Sequence, residues 1–585
     1  MNTFDRLLLG SVAGVVLLSA AVAIANAAPL EPVASRIVSA PLQSDLVAET
    51  AHGAAMRDLG RSRPTDRVDL AVVLRYRNEA QLDGLLAAQA VPTSPLHNHF
   101  LSAAQFRAAF APSVQAHAAT IVLLERAGFT VTQTFANRTI IDVRAPAPVV
   151  ERYFRTEIHR VLAGGALHYA NARPAYIPVE LRGLVDSVVG FDNIEHFKPA
   201  YRFAPVSLRG LESPDAKIGK PLKGPDGAFG PLAFAQGYNF PVQHQIPGKP
   251  NGTTFDGSGR HAGIVIPADP SDQDLSVFLN FFKVKRTGTT TRVPVDGGPH
   301  NPSSPAQVEA ALDYETIAGV APGANIVIYE PATFDNKGTL DGYNTAVSAN
   351  VADTLNSSFG ACETSGIFDV QAMTHVIKQG SAQGQIFHAS TGDGGVVSPG
   401  CNPPVRSVQA PAVIPFVTAI GGTTLNVDNH GNYISEIYWN NTSGAGGGGV
   451  SVVFPLPSYQ KPVKNIVTTG RNIPDVSLVG DPFTGEDVVL NGSFIGVGLG
   501  GTSLSSPLFG GCIVEVEQVM GKRIASLNST LYKNFVAKGY GSGKTVFAHD
   551  VIGGSQFDIL KPGPGYDLAT GIGSLDCFTG GTALL

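Results

Sequence analysis

Short apolar runs spaced along the C-terminal part of the chain constrain its fold most: residues 261–267 (HAGIVIP), 324–329 (ANIVIY) and 385–389 (QIFHA). Helical stretches, including residues 305–320 and 370–380, alternate with them, and Gly-rich turns join the two kinds of segment. Short apolar strands alternating with helices predict a parallel sheet with helices on both faces. The expectation is one large α/β domain, doubly wound and mostly parallel, over residues 231–585. Its turns account for much of the glycine, 66 residues in 585.

A smaller α+β domain is expected ahead of it, over residues 28–205. Residues 67–76 (RVDLAVVLRY) alternate as a strand does, and residues 103–110 and 114–127 place apolar side chains at helical three- and four-residue spacing. Residues 129–135 and 139–143 read as short strands. Residues 206–230 hold Pro214, Lys217, Lys220, Pro221, Lys223 and Pro225 with little periodicity. That composition predicts a protease-accessible linker carrying a processing site.

Arg6 precedes an apolar run over residues 7–24, followed by Ala25-Asn26-Ala27-Ala28-Pro29. This is the pattern of a signal peptide, residues 1–27, cut after Ala27. An uncleaved anchor is the alternative, but Gly10, Ser11, Gly14 and Ser19 dilute the run. The expected location is therefore secreted and extracellular, with no stable membrane span. A net charge of −6 supplies no basic field, which argues against a dedicated nucleic-acid binder. The low share of charged residues, 15%, would limit self-repulsion in acid. The four cysteines allow three pairings, and Cys362–Cys401 with Cys512–Cys577 closes the shorter loops. None of them has C-x-x-C spacing, so a zinc site is not expected.

Chemistry concentrates at three places. Ser503, in Gly500-Gly501-Thr502-Ser503, opens a helix-like stretch, where free N–H groups favour developing negative charge. Glu309 and Asp313 share a helix face at four-residue spacing, so burial would raise a pKa and let the pair share a proton. Asp393 follows the strand 385–389 in a Gly loop, at the strand end where open α/β sheets carry their sites. Each also has an ordinary explanation: a helix cap, two surface acids and a turn residue.

Taken in order, Glu309-x-x-x-Asp313, Asp393 and Gly-Thr-Ser503-x-x-x-Pro507 resemble the sedolisins, the serine-carboxyl peptidases. Flanking segments agree, including Gly421-Gly422-Thr423-Thr424-Leu425, residues 439–454, Pro474-Asp475-Val476 and, near the start, residues 100–106 (FLSAAQF). The resemblance implies a subtilisin-like fold in which Ser503 is nucleophile, Glu309 general base and acid, Asp313 its support and Asp393 the oxyanion stabiliser. A carboxylate base suits acid, where imidazole is already protonated. No histidine of the C-terminal part stands in the His-Gly-Thr context of a Ser-His-Asp subtilase. Phe359 occupies a place where the sedolisins usually have Trp, a change expected to alter the surroundings of Glu309.

The resemblance further implies one Ca²⁺, held by carboxylates of Asp550 and Asp567 and carbonyls of Val551, Gly563 and Gly565. Residues 28–205 would be an activation prodomain acting as intramolecular inhibitor of a monomeric enzyme whose partners are protein and peptide substrates. Endopeptidase action is the expectation. A tripeptidyl-peptidase and an inactive scaffold of the same fold are the alternatives. The sequons at Asn137 and Asn528 would matter only in a glycosylating host.

Overall fold

The computed structural model of the chain describes Pro32–Val33 and residues 57–584, except 92, 206–220, 246–248, 251, 300–303, 365–366, 399–400, 402–405, 525–526, 555–556 and 558–559. The expected signal peptide and most of the 206–230 stretch lie outside the described residues. No described helix is long and apolar enough to cross a membrane.

The N-terminal part runs β1 (Arg57–Arg61), β2 (Arg67–Leu74), α1 (Glu79–Ala90), α2 (Ala103–Ala109), α3 (Val114–Ala127), β3 (Thr130–Thr134), β4 (Ile140–Pro146), α4 (Ala147–Phe154), β5 (Ile158–Ala163), β6 (Ala166–Asn171) and β7 (Val185–Val189). Strands β3, β4, β2 and β7 form an antiparallel sheet in that order, and β1, β5 and β6 form a second one. Helix α2 starts at a capping box, in which Ser102 Oγ accepts from Gln105 N at 3.2 Å and Gln105 Oε1 accepts from Ser102 N at 2.8 Å. Because strand side chains alternate, β2 serves two cores. Leu70 and Val72 pack with Ile141, Val143 and Phe154, whereas Ala71 and Val73 join the large core of the C-terminal part.

Two short strands follow, β8 (Lys198–Pro199) and β9 (Arg202–Phe203), before the C-terminal sheet. That sheet is built from β10 (His261–Val265), β11 (Thr290–Pro294), β12 (Asn325–Glu330), β13 (Thr354–Ser357), β15 (Ile386–Ser390), β16 (Val417–Val427), β17 (Tyr433–Tyr438) and β18 (Val476–Val479); β14 (Phe359–Cys362) follows the central β13 and pairs outside this sheet. Its order is β11-β12-β10-β13-β15-β16-β17, with β18 also on β16, and every pairing is parallel except that of β17. The α/β, doubly wound and mostly parallel fold is therefore as expected. Helices α5 (Ser304–Val320), α6 (Asn336–Ala349), α7 (Ile367–Ala382) and α8 (Thr502–Met520) pack on it, the last entered from β19 (Leu499–Gly500).

The N-terminal sheet lies on α6 and α7 through a polar seam. Asn137 donates to Asn344 Oδ1 at 2.7 Å and to Gln379 Oε1 at 3.1 Å. The Tyr76 hydroxyl donates to the His375 carbonyl at 2.8 Å, and the two rings stack 3.6 Å apart. Lys337 Nζ reaches Asp142 at 3.1 Å, Asp296 at 3.0 Å and Asp341 at 2.6 Å. Both sequon asparagines are buried, Asn137 at 1% and Asn528 at 6% exposure, with their amides turned inward to protein acceptors. The disulfides are Cys362–Cys401 and Cys512–Cys577, the pairing with the shorter loops.

Candidate active site

Helices α5 and α8 are buried along almost their whole length and pack against each other in the core. Helix α8 begins after Gly501, whose φ is +102° and where a Cβ would lie 2.2 Å from the Ala200 carbonyl oxygen. Glycine alone tolerates that backbone and that approach. Pro507 inside α8 has no N–H to offer the Ser503 carbonyl one turn earlier. The Ser358 Oγ lies 3.3 Å from that carbonyl oxygen, although its shorter contact, 2.5 Å, is to Asp313 Oδ1.

Ser503 is fully buried and its hydroxyl donates to Glu309 Oε2 at 2.7 Å, with the Ser358 carbonyl a second acceptor at 3.0 Å. Glu309 and Asp313 face this point from successive turns of α5, and neither is exposed to solvent. Burial, then the Asp313 charge, holds the Glu309 carboxyl well above its ordinary range, against the hydrogen bond from Ser503. Burial also raises Asp313, against hydrogen bonds from Ser358 and Asn356. Glu309 Oε1 and Asp313 Oδ2 have no hydrogen-bond partner. A pair in this state gains by holding one proton between its members, which removes the like-charge repulsion.

Asp393 sits at the N-terminus of α8, where its Oδ1 accepts from Thr502 N at 2.8 Å and Thr502 Oγ1 at 3.0 Å. Burial pushes its carboxyl up to about 6, opposed by Arg202 and by those hydrogen bonds. Its Oδ2 has no hydrogen-bond partner and stands 3.8 Å from the Arg202 guanidinium. The fold thus gathers all four sequence candidates around one buried hydroxyl. None of that hydroxyl's hydrogen-bond partners is a histidine. His388 instead meets Ser506 Oγ at 3.0 Å, and burial lowers it to about 3, so it stays neutral.

Sequence reasoning missed a chain of polar groups behind Asp313. Ser358 Oγ donates to Asp313 Oδ1 at 2.5 Å, Asn356 Nδ2 donates to Ser358 Oγ at 3.0 Å, and Ser506 Oγ donates to Asn356 Oδ1 at 2.7 Å. The available signal was Ser357-Ser358 at the end of an apolar strand, where buried hydroxyls need partners. The Phe359 ring turns away from this chain and packs against Phe197 and Phe334.

The site is also crossed by the chain's own residues 197–204. Strand β8 pairs antiparallel with β14, and β9 pairs antiparallel with β19. Between them, Ser503 N donates to the Ala200 carbonyl at 2.9 Å, and Ala200 N donates to Ser503 Oγ at 3.1 Å.

Near the C-terminus, Asp550 and Asp567 meet one turn. Gly565 N donates to Asp550 Oδ2 at 3.1 Å and Gly563 N to Asp567 Oδ2 at 2.8 Å. Asp567 Oδ1 takes Ala569 N and Thr570 N, both at 2.8 Å, and burial raises its pKa. Both carboxylates thus bond N–H groups of the 563–565 turn, and carboxylate and backbone carbonyl oxygens are the hard donors that Ca²⁺ takes. Asp142, Asp296 and Asp341 also bring carboxylate oxygens together, but Lys337 fills their centre.

The chain matches the family model described as Pro-kumamolisin, activation domain, over residues 54–194. It is 30% identical over 533 residues to sedolisin from Pseudomonas sp. (strain 101), covering 87% of this chain and 85% of that protein. To kumamolisin from Bacillus sp. (strain MN-32) it is 28% identical over 537 residues, covering 88% and 91%. A solved structure of Pseudomonas sedolisin, a serine-carboxyl proteinase complexed with two molecules of pseudo-iodotyrostatin, matches at 29% identity and a TM-score of 0.52, covering 60% of this chain and 96% of that one.

Proposed function

The chain belongs to the sedolisin family and is a serine-type peptidase with an activation domain, and from that premise we propose that it is a secreted, acid-active serine-carboxyl endopeptidase made as a zymogen. In this reading residues 1–27 are removed on export, residues 28–205 form the inhibitory prodomain and residues 231–585 the monomeric catalytic domain. The observation that carries it is the 2.7 Å hydrogen bond from Ser503 Oγ to the buried Glu309 carboxylate.

Glu309 takes the Ser503 proton as the hydroxyl attacks a peptide carbonyl, and returns it to the departing amine. Asp313 steadies the charge on Glu309 by sharing a proton, and Ser358 and Asn356 orient Asp313. The Ser503 N–H and a protonated Asp393 stabilise the oxyanion, as a carboxyl kept neutral by burial can do. Protonation of Asp393, shifted to about 6, favours activity in acid. Activity in acid also requires that the Glu309–Asp313 pair keep one carboxylate ionised to act as base.

Endopeptidase action is favoured over tripeptidyl-peptidase action because the groove holds backbone on both sides of Ser503, with Phe197 continuing the chain beyond Lys198, the third residue counted back from Ala200 inclusive. Calcium, held by Asp550, Asp567 and the carbonyls of Val551, Gly563 and Gly565, would tie the C-terminal loops together without entering the chemistry. The test is hydrolysis of a denatured protein at pH 4 by the processed enzyme, beside Ser503→Ala and Glu309→Gln. Each variant should lose activity by on the order of 10⁴-fold or more. Unchanged hydrolysis by either would discard the assignment.

A further inference from the structure

The segment that crosses the site changes wall between Ala200 and Arg202. Phe197 N donates to the Phe334 carbonyl at 3.4 Å, Lys198 and Pro199 pair with Gly360 and Phe359, and Ala200 N donates to the Ser358 carbonyl at 3.1 Å. After Tyr201 the partner is the opposite wall, with Arg202 and Phe203 paired to Gly500 and Leu499 and Ala204 N donating to the Gly498 carbonyl at 2.8 Å. Adding a strand to two edges fixes register through the main chain and leaves side chains to confer selectivity. The register puts the Ala200 carbonyl on the Ser503 N–H at 2.9 Å. A Cβ on Gly501 would meet that carbonyl oxygen at 2.2 Å and Asp393 Oδ2 at 2.8 Å, so the carbonyl and the unpartnered carboxyl oxygen face the same small space.

Of the side chains before the Ala200–Tyr201 bond, Lys198 is exposed and Ala200 is small, whereas Phe197 is buried at 4% exposure. Its ring meets Phe359 edge-on at 5.5 Å, and Phe359 meets Phe334 at 5.2 Å. Phe334 and Phe359 thus wall an aromatic pocket for the fourth residue before the bond.

We propose that residues 197–203 lie in the groove as a substrate does, that Ala200–Tyr201 is the bond this chain cuts in itself, and that Phe334 and Phe359 select an aromatic side chain four residues before a cut. This rests on the reading of Ser503 as nucleophile. Ser503 Oγ bonds to the Ala200 carbonyl carbon while its proton passes to Glu309. The Ala200–Tyr201 C–N bond breaks, and the proton moves from Glu309 to the Tyr201 nitrogen. Water then hydrolyses the ester, leaving a carboxyl group on Ala200 and restoring Ser503. The cut falls ahead of residues 206–230, where composition alone suggests it, because register rather than exposure presents the bond.

The test has two arms. Full-length precursor is brought to pH 4 and new N-termini are sequenced in time, with Tyr201 expected first. A different first terminus, with Ala200–Tyr201 intact, would overturn the self-cleavage assignment. The processed enzyme is then given Phe-Lys-Pro-Ala-Tyr-Arg-Phe and the same peptide with Ala at its first position. Loss of the ring should lower kcat/KM about 10–100-fold, the worth of one buried Phe side chain. Phe334→Leu should narrow that ratio. Equal rates in the wild-type enzyme would reject the pocket while leaving Ser503 as nucleophile. Failure to cut either peptide, with no difference between wild type and Ser503→Ala on any substrate, would sink both readings.

Discussion

The guanidinium of Arg202 stands 3.8 Å from Asp393 Oδ2, so a residue of the strap across the groove touches the acid on which oxyanion stabilisation is proposed to depend. Arg202 favours the ionised form of Asp393 and opposes the burial that raises it to about 6. A deprotonated Asp393 cannot donate to an oxyanion.

Removing the charge at Arg202 should therefore ease activation. In Arg202→Gln the Asp393 pKa rises, the acid is protonated at higher pH, and self-processing should begin about half a pH unit higher. Arg202→Lys, which keeps the charge, should behave as wild type. Processing followed by gel at a series of pH values checks this, and a downward shift for Arg202→Gln would reject it.

His375 is a second acid-sensing contact. Burial lowers its pKa, with Asp186 and Glu79 opposing and Lys378 reinforcing, and its ring lies under Tyr76 with Nε2 unpartnered. A depressed histidine stabilises docking above its unbound pKa and loses that contribution as pH falls. Acid should thus loosen the N-terminal part here. His375→Phe keeps the stack and the main-chain acceptor of Tyr76 but cannot titrate. Processing should then need a pH lower by about half a unit.

The folded chain should be more stable in acid than at neutrality. Burial raises Asp393 to about 6, Glu330 to about 7 and Glu486 and Glu517 to about 8. Groups raised in the fold prefer the neutral form there. Their stabilisation is complete below the unfolded carboxyl range near 4 and is lost as pH rises through the folded values. For Ser503→Ala precursor, which cannot process itself, Tm should rise between pH 8 and pH 5. A Tm that is flat or falls toward acid would contradict this.

Calcium removal should act on stability and not on the Ser503 geometry. Chelation is expected to lower Tm by about 5 °C or more. Asp567→Asn should lower Tm similarly and no longer respond to chelator. A chelator response that survives in Asp567→Asn would place the ion elsewhere.

Much of the fold was legible because its signals are local. Apolar runs of strand length between helical stretches determined the parallel sheet, and helical spacing determined α3. The cysteine separations pointed to the pairing that forms, since short loops are the easiest to close. Motif order was enough to single out Glu309, Asp313, Asp393 and Ser503. Only the tertiary structure decided that Glu309 and Ser503, 194 residues apart, meet at 2.7 Å, because that contact depends on α5 and α8 packing in one core. It also decided the burial that keeps these carboxyls protonatable, since desolvation is a sum over neighbours from many segments. Arg202 and the Ala200–Tyr201 register left no local trace, and the Ser357-Ser358 pair signalled only hydroxyls in need of partners: a hydroxyl or an amide acquires its role from what the fold sets opposite it.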